Sequence, residues 1–301
     1  MATTTVLQII LVMILWAICF PLITTGIAYS PHLTFAALRA LLAGAVLIML
    51  AVALGRPVPK GLRIWTILVF VGLGATSLGF LGMFHAAEYV SPGIATVIAN
   101  TQPLMAALLA SMFLDEHLDG RGKAGLALGF GGILLITLPQ LLNGQTGSYA
   151  IGVAYIILAA LGITVSNVLI KRIAGEVDAI MAMGIQIFVG GLPLLVAAWV
   201  LEAPQSVVWS PSFVLALIGL SLPGTALVYW LWFSILERVP LNRANAFSFL
   251  IPIFGVAIGV LFYAERVGWL GASGVGLTLL GIVLVNRTAE PRPTNSTRID
   301  P

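Results

Sequence analysis

Apolar residues fall into ten runs, roughly 5–29, 33–54, 64–85, 92–114, 124–142, 148–170, 179–201, 212–236, 241–263 and 268–286. Each run is close to the ~20 residues that a helix needs to cross a hydrocarbon core. The breaks between them are rich in turn formers: Ser30-Pro31-His32, Gly55-Arg56-Pro57, Ser91-Pro92-Gly93, Asp119-Gly120-Arg121, Asn143-Gly144, Ser210-Pro211 and Val239-Pro240. No connection is long enough for a separate soluble domain. The first run has no basic segment before it and continues for about 25 residues, so it is expected to remain as a span rather than a cleaved leader. The polar stretch 287–301 is expected to be a disordered cytoplasmic tail. The pattern predicts an all-α integral membrane protein with ten transmembrane helices.

The pattern also repeats. Residues 71–136 align without a gap with residues 220–285 at a constant offset of 149. Thr76 answers Thr225, Phe84 answers Phe233, Glu88 answers Glu237, Pro103 answers Pro252 and Glu116 answers Glu265. Gly122, Gly125 and Gly132 answer Gly271, Gly274 and Gly281. Two five-helix repeats are therefore expected, 1–146 and 147–286. An odd number of spans turns the second copy upside down relative to the first.

Composition fixes the solvent. Sixty per cent of residues are apolar and 8% are charged, against about a quarter charged in soluble domains. Such a chain cannot cover itself with polar surface, so lipid must surround it. The single Cys19 excludes an internal disulfide. Basic residues are scattered over short loops, which argues against nucleic acid. They also orient the chain. With a cytoplasmic N-terminus, twelve of the fourteen Lys and Arg lie in inner loops or the tail, Arg266 lies outside and Arg39 lies within a span. This positive-inside bias places both termini in the cytoplasm. Inverted repeats characterise secondary transporters, whose site lies near the midplane between the halves. Two similar halves can exchange conformations at nearly equal energy.

Phe84-His85-Ala86-Ala87-Glu88-Tyr89-Val90-Ser91-Pro92-Gly93, with Pro103 following and Phe113-Leu114-Asp115-Glu116 closing the fourth helix, resembles the drug/metabolite transporter (DMT) superfamily, EamA-type branch. Glu237, Pro252 and Tyr263-Ala264-Glu265-Arg266 repeat that pattern. Thr34-Phe35-Ala36-Ala37-Leu38-Arg39 is similar to the family's second-helix arginine motif, with Gln186 at the roughly corresponding place in the second copy. Within the superfamily the chain looks most like YddG-type exporters of aromatic and other amino acids. That resemblance implies a multi-pass protein of the bacterial inner membrane, working by alternating access.

The candidate residues are few, and each has two readings. Arg39 enters the second span by about 9 Å at 1.5 Å per residue. It is either a structural arginine reaching the outer interface or Glu88, or a contact for a substrate carboxylate. His85 is either interfacial or a polar group at an outer vestibule. Asn100, Thr101 and Gln102 precede Pro103 near the midplane, where a freed carbonyl needs a partner. Asn100 is then a substrate contact or an interhelical hydrogen bond, and Thr101 and Asn245 are taken as further substrate contacts. Phe80 and Phe84 share one helix face, as do Tyr229 and Phe233. Each pair either packs or narrows one end of a pathway. Trp16 and Phe20 suggest a cavity wall. Of Trp230 and Trp232, at most one shares the direction of Tyr229. Pro103 and Pro252 are candidate hinges. Small residues on helices five and ten, Gly125 to Gly129 and Gly271 to Gly274, suggest scaffold packing, with dimerisation the lesser reading.

What is missing narrows the chemistry. All eleven acids fall at span ends or in loops, so no carboxylate at depth relays protons. No phosphate-binding loop of the Gly-x-x-x-x-Gly-Lys type is present, and no cofactor or metal is implied. Clustered His or acids for a membrane enzyme are absent, as is the continuous polar stripe of a channel. The expectation is a carrier for neutral, preferably aromatic or hydrophobic, amino acids, sufficient as a monomer and running downhill without tight proton coupling. An exporter of other small metabolites or drugs is the alternative.

Overall fold

The computed structural model describes residues 1–86, 89, 99, 101–114, 116–142, 149–203, 206–263 and 268–286, and the side chains of all of these except 20, 136–142, 149–150, 256 and 259–263. The described residues form ten helical segments. These are α1 (Thr3–Ile27), α2 (His32–Ala53), α3 (Leu62–Ala86), α4 (Gln102–Phe113), α5 (Gly120–Leu142), α6 (Tyr149–Ile173), α7 (Ala179–Leu201), α8 (Pro211–Leu236), α9 and α10 (Trp269–Asn286). Segment α9 comes in three pieces: Leu241–Ala246, a 3-10 turn Phe247–Phe249, and Leu250–Tyr263. Seven of the ten, all but α4, α5 and α9, contain a stretch long and apolar enough to cross a membrane among the described residues. Glu88, Asn100, Glu265 and the 287–301 tail lie outside the described residues, as does the side chain of Phe20.

Glycine decides which helices touch. A Cβ on Gly44 of α2 would lie 2.6 Å from the Phe188 backbone nitrogen, one on Gly184 of α7 would lie 2.9 Å from that of Ile48, and one on Gly191 would lie 3.1 Å from Ala40 Cβ. Partner numbers fall from 191 to 184 as α2 advances from 40 to 48, so α2 and α7 run antiparallel. Helices α5 and α10 do the same. A Cβ on Gly125 would lie 2.8 Å from Gly281 O, and one on Gly132 would lie 2.7 Å from Thr278 N. Lipid supplies no hydrophobic drive for association, so backbone proximity and dispersion must supply it. Gly125, Gly129 and Gly132 of α5 are therefore spent on contact with α10 inside the chain. Beyond these pairs, α1 packs on α8 and α9, while α6 packs on α3 and α4. Each repeat's first helix thus lies against the third and fourth helices of the other copy.

Charged residues finish helices. The Glu202 carboxylate at the end of α7 accepts from Leu33 N at 2.8 Å, Thr34 N at 2.7 Å and Thr34 Oγ1 at 2.8 Å, capping α2. Glu116 accepts from Leu241 N at 2.9 Å and Asn242 N at 3.1 Å, capping α9. Lys171 Nζ donates to Leu236 O and to Val239 O, closing the C-terminal end of α8. Helix ends carry orphan donors and acceptors with a matching partial charge, so acids at N-termini and bases at C-termini are stabilising.

Two of the long helices are widened at equivalent places. The turns Gly72–Leu78 in α3 and Leu222–Leu227 in α8 are π-helical. Widened turns leave carbonyls that seek other donors. Ser166 Oγ donates to Val71 O at 3.2 Å and Thr225 Oγ1 donates to Leu220 O at 2.7 Å, while Ser77 of the first π turn donates across to Gly190 O of α7 at 2.6 Å.

Candidate functional site

Between the two repeats lies a cavity of about 120 Å³. From the first repeat α1 supplies Trp16, Cys19 and Ile23, α2 supplies Arg39, and α3 supplies Phe80 and Met83; Ala99 and Gln102 line it at the head of α4. The second repeat adds Ile163 from α6, Tyr229 and Trp232 from α8, and Asn245, Ser248 and Ile251 from α9. Much of this wall is one set of positions used twice. At the offset of 149, Phe80 answers Tyr229, Met83 answers Trp232, Ala99 answers Ser248 and Gln102 answers Ile251. Ser248 sits in the 3-10 turn that breaks α9, where the chain departs from regular helix.

Arg39 is buried, with 5% of its surface exposed. Glu88 lies outside the described residues, and among those described no carboxylate lies within ion-pair distance of Arg39. Its Nε donates to Thr225 Oγ1 at 2.7 Å and its Nη2 to Gly224 O at 3.3 Å. The same Nη2 lies 3.8 Å from Cys19 Sγ, and Cζ stands 4.3 Å from the centre of the Phe80 ring. The π turn of α8 is what presents Gly224 O and Thr225 to the cation. Across the pseudo-symmetric halves, Thr76 Oγ1 in the π turn of α3 donates to Gln186 Oε1 at 3.2 Å. One half therefore carries a cation on its π turn and the other a neutral amide.

Asn245 is 1% exposed, and among the described residues neither its Nδ2 nor its Oδ1 has a hydrogen-bond partner. A buried amide left unpaired costs about 1–3 kcal/mol, and native structures leave few such groups. Pairing it is work that a ligand in this cavity can do. The apolar side of the cavity is built on Trp16 and Trp232, whose rings are 5.3 Å apart and tilted by 58°. Trp232 Nε1 donates to Asn167 Oδ1 at 3.0 Å, which fixes the indole's direction.

Of the residues expected from sequence, Trp16, Arg39, Phe80, Tyr229 and Asn245 come together here. Phe84 and Phe233 do not: both are fully buried in packing, Phe84 edge-on to Phe35 at 5.8 Å. His85 packs against His32 at 4.7 Å and Tyr155 at 5.0 Å, away from the cavity. Thr101 precedes α4 without lining the site. Pro103 and Pro252 fall in the first turns of Gln102–Phe113 and Leu250–Tyr263, not at mid-helix. A missing N–H is harmless there, since first-turn donors have no intrahelical acceptor. Cys19, Met83 and Ser248 were not among the expected contacts; Gln102 was expected to face a cavity or another helix, and Trp232 was one of two tryptophans of which at most one turns with Tyr229. The repeat offset was the available signal, because advancing Phe80 and Tyr229 by one turn reaches Met83 and Trp232.

Two related helical bundles enclosing a buried cavity make a multi-pass membrane carrier, and the comparisons agree. The chain belongs to the EamA-like transporter family, which residues 3–138 and 150–287 match. It is a transporter with a small-molecule substrate and not an enzyme. A WAT1-related chloroplastic protein of Arabidopsis thaliana is 33% identical over 83% of this chain, which spans 62% of that relative's length. An uncharacterized transporter of Synechocystis is 30% identical over 92% of this chain and 88% of its own. A probable amino-acid metabolite efflux pump of Escherichia coli is 27% identical over 92% of this chain and 90% of its own. A crystal structure covering 95% of this chain and 98% of its own superposes with a TM-score of 0.78 at 20% identity, a likeness of fold alone.

Proposed function

We propose that the chain moves neutral, preferably aromatic or hydrophobic, amino acids across a bacterial inner membrane by alternating access, as ten spans in two inverted repeats with both termini cytoplasmic. The observation that carries this reading is the cavity itself. It lies between the repeats, walls an apolar side with Trp16 and Trp232, and offers the unpaired Asn245 amide beside a buried Arg39. The antiparallel packing of α2 on α7 and of α5 on α10 supports the inversion, because each pair joins equivalent helices of the two copies. The Escherichia coli relative named for amino-acid metabolite efflux supports the cargo class. The cycle then needs no energy source beyond a gradient, since none of the described residues lining the cavity is an acid. Counterflow in proteoliposomes with a panel of labelled amino acids tests it. Phenylalanine, tryptophan and leucine should exchange without an imposed pH step. Strict dependence on a pH step, or exchange limited to charged amino acids, refutes it.

A further inference from the structure

We propose that Arg39 anchors the cargo's carboxylate, and that the cavity accepts aromatic monocarboxylates lacking an amino group at least as well as aromatic amino acids. The inference rests on the carrier reading above and names the group by which its cargo is recognised. Arg39 is the one charged side chain among the described residues lining the cavity. Its described partners are a hydroxyl, a backbone carbonyl, a thiol and a ring face. Among the described residues its Nη1 makes no hydrogen bond. A buried guanidinium stabilised only by dipoles is costly, and a carboxylate brings both a counter-charge and a paired acceptor geometry. Asn245 lines the same cavity with its amide unpaired, and its Nδ2 supplies a further donor to an anion. The two indoles and the Tyr229 ring then take the apolar end of the molecule.

Charge balance separates the cargo classes. A monoanion neutralises Arg39 and leaves nothing over. A zwitterion also neutralises it but brings an ammonium, for which the described lining offers the Asn245 and Gln102 carbonyls, hydroxyls and ring faces but no acid. The amino group therefore gains little on entering and loses its hydration. The repeat position of Arg39 is occupied by Gln186, already engaged with Thr76, so the anchor exists in one half only. The cavity holds one carboxylate, always at the π turn of α8.

Cys19 makes the test direct. It is the only cysteine in the chain, it lines the cavity, and its sulfur lies 3.8 Å from Arg39 Nη2. In detergent-purified full-length protein, modification of Cys19 by methyl methanethiosulfonate is followed by intact mass. The ligands are phenylalanine, 3-phenylpropionate, N-acetylphenylalanine and phenylalaninamide. The ligand-induced rise in unfolding temperature is a second readout of the same panel. The three carboxylates should slow modification several-fold and raise the unfolding temperature, whereas phenylalaninamide should do neither. Protection by phenylalaninamide equal to that by 3-phenylpropionate overturns the anchor. Protection by phenylalanine without 3-phenylpropionate overturns the dispensable amino group. If no ligand acts in either readout while phenylalanine counterflow proceeds, the anchor is wrong and the carrier reading stands; if counterflow fails too, both fall. Arg39→Gln should raise the concentration needed for protection about tenfold, or ~1.4 kcal/mol, with Arg39→Lys in between. The wild-type panel decides the matter even if either variant folds poorly.

Discussion

The Asn245 amide is the residue at which stability and binding make opposite demands. Both its polar atoms are buried without partners, so the folded protein gains nothing from them and a ligand gains by pairing them. Asn245→Ala should therefore weaken apparent substrate affinity by about 1 kcal/mol, roughly fivefold, while leaving the unfolding temperature unchanged or higher. Initial-rate counterflow over a range of concentrations, with thermal unfolding alongside, measures both. A structural asparagine would behave the other way, losing stability and keeping affinity. Trp16→Ala removes one face of the Trp16–Trp232 pair, a contact of about 0.5–1.5 kcal/mol beyond its area. It should cost affinity and some stability together. At this scale the sequence was informative where chemistry was unusual for its depth. A mid-span tryptophan and an arginine within a span demanded explanation, and Trp16 and Arg39 both line the cavity, while the mid-span Asn100 lies outside the described residues. Phe84 and Phe233 share a helix face with true lining residues but are spent on packing, and a helical period does not distinguish a ring in a wall from one behind it.

The π turns are what the residue pattern failed to announce at the level of elements. Apolar periodicity detects a helix and not its local width, so Gly72–Leu78 and Leu222–Leu227 read as ordinary span. Their cues were chemical: paired glycines at Gly72 and Gly74, Pro223 with Gly224, and a threonine at the same repeat position in each. The prolines gave a truer hint of a broken helix than of a kinked one. Pro252 follows the 3-10 turn Phe247–Phe249 and begins the second half of α9, with Ser248 of the break facing the cavity. Each proline stands in the first turn after a break, with helical residues before it, where its missing N–H forfeits little. Pro252→Ala and Pro103→Ala should therefore change stability by less than about 1 kcal/mol. They should slow turnover instead, by letting helix propagate through a joint that must flex. The comparison is maximal counterflow rate against unfolding temperature, and wild-type turnover in both variants would remove the hinge role.

Pairing of equivalent helices governs the whole molecule. Gly125 of α5 meets Gly281, whose repeat mate is Gly132, and Gly132 meets α10 around Gly274 and Thr278, Gly274 being the mate of Gly125. Contacts that exchange in this way place a two-fold relation between α5 and α10, and α2 with α7 repeats it. In the inverted arrangement proposed above, two copies related so present equivalent loops to opposite faces of the membrane. The loop after α2 and the loop after α7 are such a pair, and each holds an exposed valine: Val58 at 54% and Val208 at 57%. The basic residues beside them differ as the positive-inside rule requires, with Arg56, Lys60 and Arg63 flanking the first loop and none flanking the second. In a Cys19→Ser background, Val208→Cys should react with an impermeant maleimide added to intact cells, and Val58→Cys should react only after the membrane is opened. Exposure is nearly equal at the two sites, so a difference in labelling reports sidedness and not accessibility. Reaction of both cysteines from the same side would mean that the copies stand parallel. Alternating access by exchange of the two halves would then lose its structural basis.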